Sequence, residues 1–281
     1  MLLTENVNGI DIAEYADYDI ISIRYGTFDL GVDASALQLN EVKANPTLHG
    51  EQTLTVWAKK GDNGVELSVP ITFITEQIND FKRLKEVCSI VDWNETKGLG
   101  TYYVLGSDFS ASTDVGAYNG TASIGGAIWL SGGGLGCGFQ GTLDGRGHSI
   151  SDINFNNMGL FGALTNAVVK NISFTNATVE GNSSIFGANA QKSVIENVTI
   201  TLRNSVVQTE GGILFAQQSK DMRYKNVSIV AAGSTFNTLI GSGQYAGDNT
   251  NIFENVIVQA GSLKFVGYTV TTMTGVIFKK I

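Results

Sequence analysis

The sequence is poor in the residues that crosslink a fold or anchor chemistry. Its 281 residues include two cysteines and two histidines. Cys88 and Cys137 make no disulfide framework, and no CxxC or Cys/His cluster offers a metal site; two buried free thiols are the simplest reading. Charge is also scarce, at 16% of residues with a net of −8. That balance argues against unaided nucleic-acid binding, which draws on Lys and Arg to neutralise phosphates, and against anionic membrane surfaces. No apolar run reaches the ~20 residues that span a bilayer, so membrane insertion is not expected. Met1-Leu2-Leu3-Thr4-Glu5 lacks both the basic segment and the apolar core of a secretory signal.

What the chain does have is glycine: 34 of them against only 2 prolines, with 43% hydrophobic residues. This composition fits a β-rich protein with many tight turns better than a helical or disordered one. The length allows one large or two modest domains, either with an adequate core.

Residues 1–77 read as a separate β domain. Asp19–Tyr25, Ala36–Val42 and Gln52–Ala58 are short apolar or alternating runs divided by Gly, Asp and Asn. After an expected turn at Asp62-Asn63-Gly64, Val65, Leu67, Val69, Ile71 and Phe73 alternate with Glu66, Ser68, Pro70 and Thr72. A strand so patterned is buried on one side only. Pro70 cannot donate to a ladder and places the strand at an edge or a bulge. Five or six strands in this length resemble a small bacterial immunoglobulin-like (Ig-like) β-sandwich, in which Trp57 is a core residue. His49 is read as a loop residue.

At residues 79–88 the period changes. Asn79 or Asp80 can cap a short helix that sets Phe81, Leu84, Val87 and Cys88 on one face. Its expected role is to cover the open end of the domain that follows, residues 78–281. Between residues 116 and 138 there are nine glycines, which suggests a long excursion rather than a regular turn.

From Phe139 onward two motifs repeat in phase. Gly162, Gly187, Ala216, Gly241 and Gly267 each close an apolar triplet, at intervals of 25, 29, 25 and 26 residues. Asn171, Asn197, Asn226 and Asn255 each precede a β-branched apolar residue, at intervals of 26, 29 and 29. Turns of this length, each supplying short strands that stack on the next, describe a parallel β-helix. Phe161, Phe186, Phe215, Ile240 and Val266 are then one interior stack, and Ile172, Val198, Val227 and Val256 another. The four asparagines form a structural ladder at a recurrent corner, where Asn tolerates left-handed backbone. Lys170, Glu196, Lys225 and Glu254 share one repeat position and suggest a solvated charge ladder.

Residues ~78–175 resemble the GLUG-type region of bacterial surface proteins. The likeness is carried by Tyr102-Tyr103-Val104-Leu105 with Asp108, by Phe139-Gln140-Gly141-Thr142-Leu143-Asp144-Gly145-Arg146-Gly147-His148-Ser149-Ile150, by Gly159-Leu160-Phe161-Gly162 and by Val168-Val169-Lys170-Asn171-Ile172. The resemblance implies a right-handed parallel β-helix of adhesins and other exported or host-contacting proteins, generally a scaffold without chemistry of its own. The expected architecture is thus all-β: an N-terminal Ig-like sandwich, a short capping helix and a right-handed parallel β-helix.

Catalysis has few candidates. Asp144, Arg146 and His148 lie within five residues, but an Asp-Gly pair followed by a second Gly is what a tight corner requires. No acidic pair among Asp144, Asp152, Glu180, Glu196, Glu210, Asp221, Asp248 and Glu254 stands out as a glycosidase dyad or a calcium cluster. No cofactor is expected. Asn-X-Ser/Thr sequons at Asn171, Asn176, Asn182, Asn197 and Asn226 follow from the ladder itself. Tyr118, Trp129 and Tyr245, in glycine-rich loops, are the candidates for stacking on a sugar ring. The resulting expectation is a non-enzymatic structural and adhesive protein of a phage particle, touching a host glycan and assembling as a homo-oligomer with other virion subunits. A bacterial cell-surface adhesin is the alternative and a polysaccharide depolymerase the second.

Overall fold

The computed structural model describes residues 4–5, 18–31, 42–88, 95–113, 138–155, 159–181, 183–203, 206–207, 212–231, 234, 238–240, 251–260, 272–274 and 277–280. The chain divides into two compact units, one of residues 1–77 with 100–103 and one of residues 78–99 with 104–281.

The first unit holds an antiparallel sheet of five strands. Their spatial order is Thr4–Glu5, Asn63–Phe73, Gly50–Lys60, Asp19–Tyr25 and Phe28–Gly31. The two longest strands pair from Gly50 opposite Phe73 to Lys60 opposite Asn63, so the connecting turn is Gly61-Asp62, slightly before the expected one. Ile23, Tyr25, Leu30, Val42 and Phe73 form the core on one face. Thr4–Glu5 pairs only with Phe73 and Thr72, so Pro70, which stands opposite Thr53 on one side, has no partner on the other among the described residues, as suits a residue without an N–H.

Among the described residues the unit has one antiparallel sheet. Two expectations for its side chains need correcting. Trp57 is 44% exposed and leans over Gly64, where an added Cβ would come within 2.8 Å of its ring. His49 is more than a loop residue. Its Nε2 meets the Val42 carbonyl at 3.1 Å and its Nδ1 meets Thr75 Oγ1 at 2.7 Å. The Thr75 oxygen also accepts from the Tyr102 N–H. The ring is tilted against Phe73, and burial pushes the imidazole pKa down.

The second unit begins with the helix Phe81–Cys88, which buries Phe81, Leu84, Val87 and Cys88. The Asp80 carboxylate accepts the Arg83 N–H at 2.8 Å and caps it. Beyond it the chain coils as a parallel β-solenoid. One sheet stacks Thr96–Lys97, Gly138–Phe139, Gly162–Thr165, Gly187–Gln191, Gly212–Lys220 and Thr238–Ile240 in sequence order. Gly138 therefore belongs to a strand and not to the excursion; Cys137 and the rest of the glycine-rich run lie outside the described residues. The other sheet runs from Thr142–Asp144 through Val168–Gly181, Val194–Leu202, Arg223–Ala231 and Ile252–Ala260, paired in parallel at every step.

The interior is stacked phenylalanine and branched aliphatics. Phe161, Phe186 and Phe215 are fully buried, as are Ile172, Val198, Val227 and Val256 to within 1%. Ring centroids are 5.2 Å apart for Phe139 and Phe161, and 5.7 Å for Phe186 and Phe215. Tyr224 lies flat on Phe253 at 4.6 Å. Each such side chain contributes roughly 1.5–3 kcal/mol on leaving water. Val266, the last member of the expected stack, is outside the described residues.

The register shifts at several places, and at one of them it departs from the motif count. Gly187 stands opposite Gly162 but also opposite Phe215, not Ala216, and a bulge then brings Asn189 opposite Gln218. Here the turn is one residue out of step with its motif, and Phe186 N–H donates to the Leu214 carbonyl at 3.1 Å.

Candidate functional site

The polar surface of the solenoid is organised by left-handed corners. Asn171, Asn197, Asn226 and Asn255 have φ of 53°, 54°, 52° and 51°, a region L-residues other than Asn and Asp rarely enter. A left-handed residue breaks the in/out alternation of a strand. In Val194–Leu202, Ile195 and Val198 both face inward, while Glu196 and Asn197 between them face outward. Each asparagine donates Nδ2–H to the Oδ1 of the preceding turn: Asn255 to Asn226 at 2.8 Å, Asn226 to Asn197 at 2.8 Å and Asn197 to Asn171 at 2.9 Å. The ladder expected from sequence is present.

The ladder ends on the segment that looked most catalytic. Asp144 pairs with Lys170 in the register, so the position equivalent to Asn171 is Gly145. A Cβ there would lie 2.5 Å from the Asn171 carbonyl oxygen, which makes glycine obligatory. The Asp144 carboxylate replaces the missing amide. It accepts from Asn171 Nδ2 at 3.0 Å and from the Arg146 N–H at 2.9 Å, with Lys170 Nζ 3.8 Å away. His148 turns elsewhere, its Nδ1 3.1 Å from Asp108 Oδ1, which also accepts the Ser149 N–H. Those two contacts, the Ser149 N–H foremost, hold the Asp108 carboxyl below the usual carboxylate range. Asp144 and His148 are thus committed to different partners. A parallel device occupies a further corner, where Asp152 and Asn176 also have positive φ. The Asp152 carboxylate accepts from Asn176, Ser110 and Ser151, and these bonds lower its pKa.

Around the ladder's end lies a shallow open groove of about 490 Å³, lined by Asp144, Arg146, Gly147, Asn171, Ile172, Ser173 and Asn197. On one side of the asparagine corner the outward column is wholly charged: Asp144, Lys170, Glu196, Lys225 and Glu254 stand opposite one another in successive turns. Lys225 Nζ reaches Glu196 at 2.7 Å. This is the charge ladder expected from sequence.

On the other side of the corner the outward positions carry no charge from Ser149 to Gln259, beyond which Lys279 stands opposite Gln259. Ser149, Ser173, Thr199, Ser228 and Ile257 form one column in continuous register. Two residues further along each strand, Ser151 stands opposite Thr175, and Thr201 opposite Val230 and then Gln259. Sequence reasoning singled out the asparagines and missed these hydroxyls. The signal was Ser or Thr at two and four residues after the ladder asparagine, in Ser173/Thr175 and Thr199/Thr201. Of the sugar-stacking candidates, Tyr118, Trp129 and Tyr245 all lie outside the described residues. No group of three or more His, Cys, Asp or Glu able to hold a metal occurs among the described residues, and no helix among them is long and apolar enough to cross a membrane.

Fold and site together define a parallel β-solenoid whose corner polar residues bind one turn to the next. No family model matches the chain, and no solved structure matches it. One stretch of 126 residues is 33% identical to Halomucin of Haloquadratum walsbyi, covering 41% of this chain and 1% of that protein. The chain thus spans a very small part of the curated relative it matches.

Proposed function

We propose that the chain is a non-catalytic structural and adhesive protein, whose solenoid is a stiff spacer with an exposed flank that contacts glycans. The observation that carries this reading is the use made of the ionisable residues: Asp144, Asp152, Lys170, Glu196, Lys225 and Glu254 bond to neighbouring turns or stand in a column that neutralises itself. A glycosidase needs two carboxylates facing a common sugar, held at contrasting pKa. The described corners spend theirs on holding the coil together. In this proposal the N-terminal unit is an Ig-like attachment module, the helix Phe81–Cys88 covers one end of the coil, and the solenoid assembles with further subunits.

Two placements fit that role. On a phage particle, such a protein is a fibre, a capsid decoration or a receptor-binding component. On a cell surface, it is an adhesive scaffold, and the local similarity to Halomucin favours this second setting. The test of the non-catalytic claim is incubation of the purified chain with capsular and cell-wall glycans. Unchanged polymer is expected. New reducing or unsaturated ends would establish a depolymerase instead.

A further inference from the structure

We propose that the uncharged face between the asparagine corner and the Thr175/Thr201 positions is a binding surface for an extended, neutral polysaccharide. This rests on the adhesive reading above and gives it a location and a ligand class. The face is built from two outward columns that follow the ladder asparagines. Between Ser149 and Gln259 neither column contains an ionisable side chain, although the column on the other side of the same corner is charged at every turn. A protein of net charge −8 thus keeps one strip of its surface neutral, which matches an uncharged partner and repels none.

The hydroxyls there are uncommitted. Ser151 is held by Asp152, but among the described residues Ser173, Thr175, Thr199, Thr201 and Ser228 take part in no side-chain hydrogen bond, ion pair or ring contact. Thr199 is exposed and the others are partly exposed. Strand propensity accounts for the threonines but not for Ser173 and Ser228, because serine is not among the residues that strands favour. Successive strands lie ~4.8 Å apart and alternate residues ~6.6 Å apart along a strand, so the first column forms a continuous row of hydroxyls from Ser149 to Ser228, flanked by a second row that the register shift between Phe174 and Ala177 interrupts. A β-linked neutral glycan is the face's chemical complement: hydroxyls along the chain's edges meet Ser and Thr oxygens, and apolar C–H faces of the sugar rings meet threonine methyls. At one end the face meets the groove lined by Asp144, Arg146, Asn171 and Ser173, where charge returns.

The test uses the full chain with insoluble chitin and cellulose as probes, and retention is measured after washing. The wild type is expected to be retained, with little change at ~1 M salt, which screens charge but not neutral contacts. Thr199→Lys/Thr201→Lys is expected to weaken retention roughly tenfold or more, as does Ser228→Glu on the next turn. Lys225→Gln, on the charged column, is expected to leave it unchanged. Circular dichroism and thermal melting show that each variant is folded. Retention that survives both face variants overturns the face and leaves the adhesive reading standing. Retention abolished by salt overturns the neutral ligand. If no neutral or acidic glycan retains the wild type, both readings fall. Depression of the freezing point without retention would assign the face to ice and overturn the glycan.

Discussion

Replacing Asn226 removes one rung from the middle of the ladder. The Asn226 side chain donates to Asn197 and accepts from Asn255, each at 2.8 Å, and its backbone sits at φ 52°. Alanine loses both bonds and pays the left-handed penalty. Left-handed backbone costs an L-residue roughly 1–2 kcal/mol. An intramolecular hydrogen bond is worth ~0.5–1.5 kcal/mol net, and these exposed ones belong at the lower end. Asn226→Ala should therefore destabilise the solenoid by about 2–3 kcal/mol. That is roughly 5–10 °C in Tm for a unit of this size. Glycine loses the same bonds without the strain, so Asn226→Gly should recover about 1 kcal/mol, less the entropy it adds to the unfolded chain. Thermal melting gives the ranking, and hydrogen exchange at the amides of Val198, Val227 and Val256 places the loss in the adjoining turns. Alanine as stable as glycine, or both within ~0.5 kcal/mol of wild type, would refute the ladder as a stabilising device.

Three further outcomes follow from the geometry. Gly145→Ala should destabilise by more than ~2 kcal/mol, because its Cβ would meet backbone at 2.5 Å, whereas Gly147→Ala, with φ +84° and open space, should cost only about 1 kcal/mol of strain; urea titration of the pair measures both. His49 is held neutral, its pKa pushed down from 6.5. Between the folded and unfolded values the unfolded chain binds more protons, so stability is full above pH 6.5 and falls on acidification through it; melting of wild type and His49→Gln from pH 8 to 5 should converge as pH falls. Asp152 is shifted down from 3.8, so its contribution is present above that value and lost as pH drops toward its folded pKa. Asp152→Asn should remove this acid-sensitive part, as seen in acid titrations followed by circular dichroism.

The solenoid was legible because a stacked coil repeats its constraints. An asparagine at every corner and an apolar residue after it are forced by the same backbone at each turn, so Asn171 through Asn255 stand out in one sequence. The helix Phe81–Cys88 was legible through its cap and its apolar face. Other features carry no repeating signal. The bulge after Gly187 shifts the register by one residue between turns, which a count of motif residues does not contain. Trp57 is half-exposed and not a core residue, because an alternating strand does not say which face is covered. At the candidate site, Asp144, Arg146 and His148 are neighbours in sequence, but the ladder and Asp108 draw two of them apart. The hydroxyl face is easily overlooked, since Ser and Thr on exposed strands are ordinary one at a time and become a surface only once the register aligns them.

On the proposed reading the ladder holds the coil and a separate face meets the ligand. Measuring Tm and retention on insoluble chitin in parallel for Asn226→Ala and Thr199→Lys/Thr201→Lys tests that separation most directly. The predicted result is a lowered Tm with retention intact, well below melting, for Asn226→Ala, and an unchanged Tm with retention lost for the face variant. Loss of retention by the ladder variant at unchanged Tm, with the face variant still retained, would contradict the account.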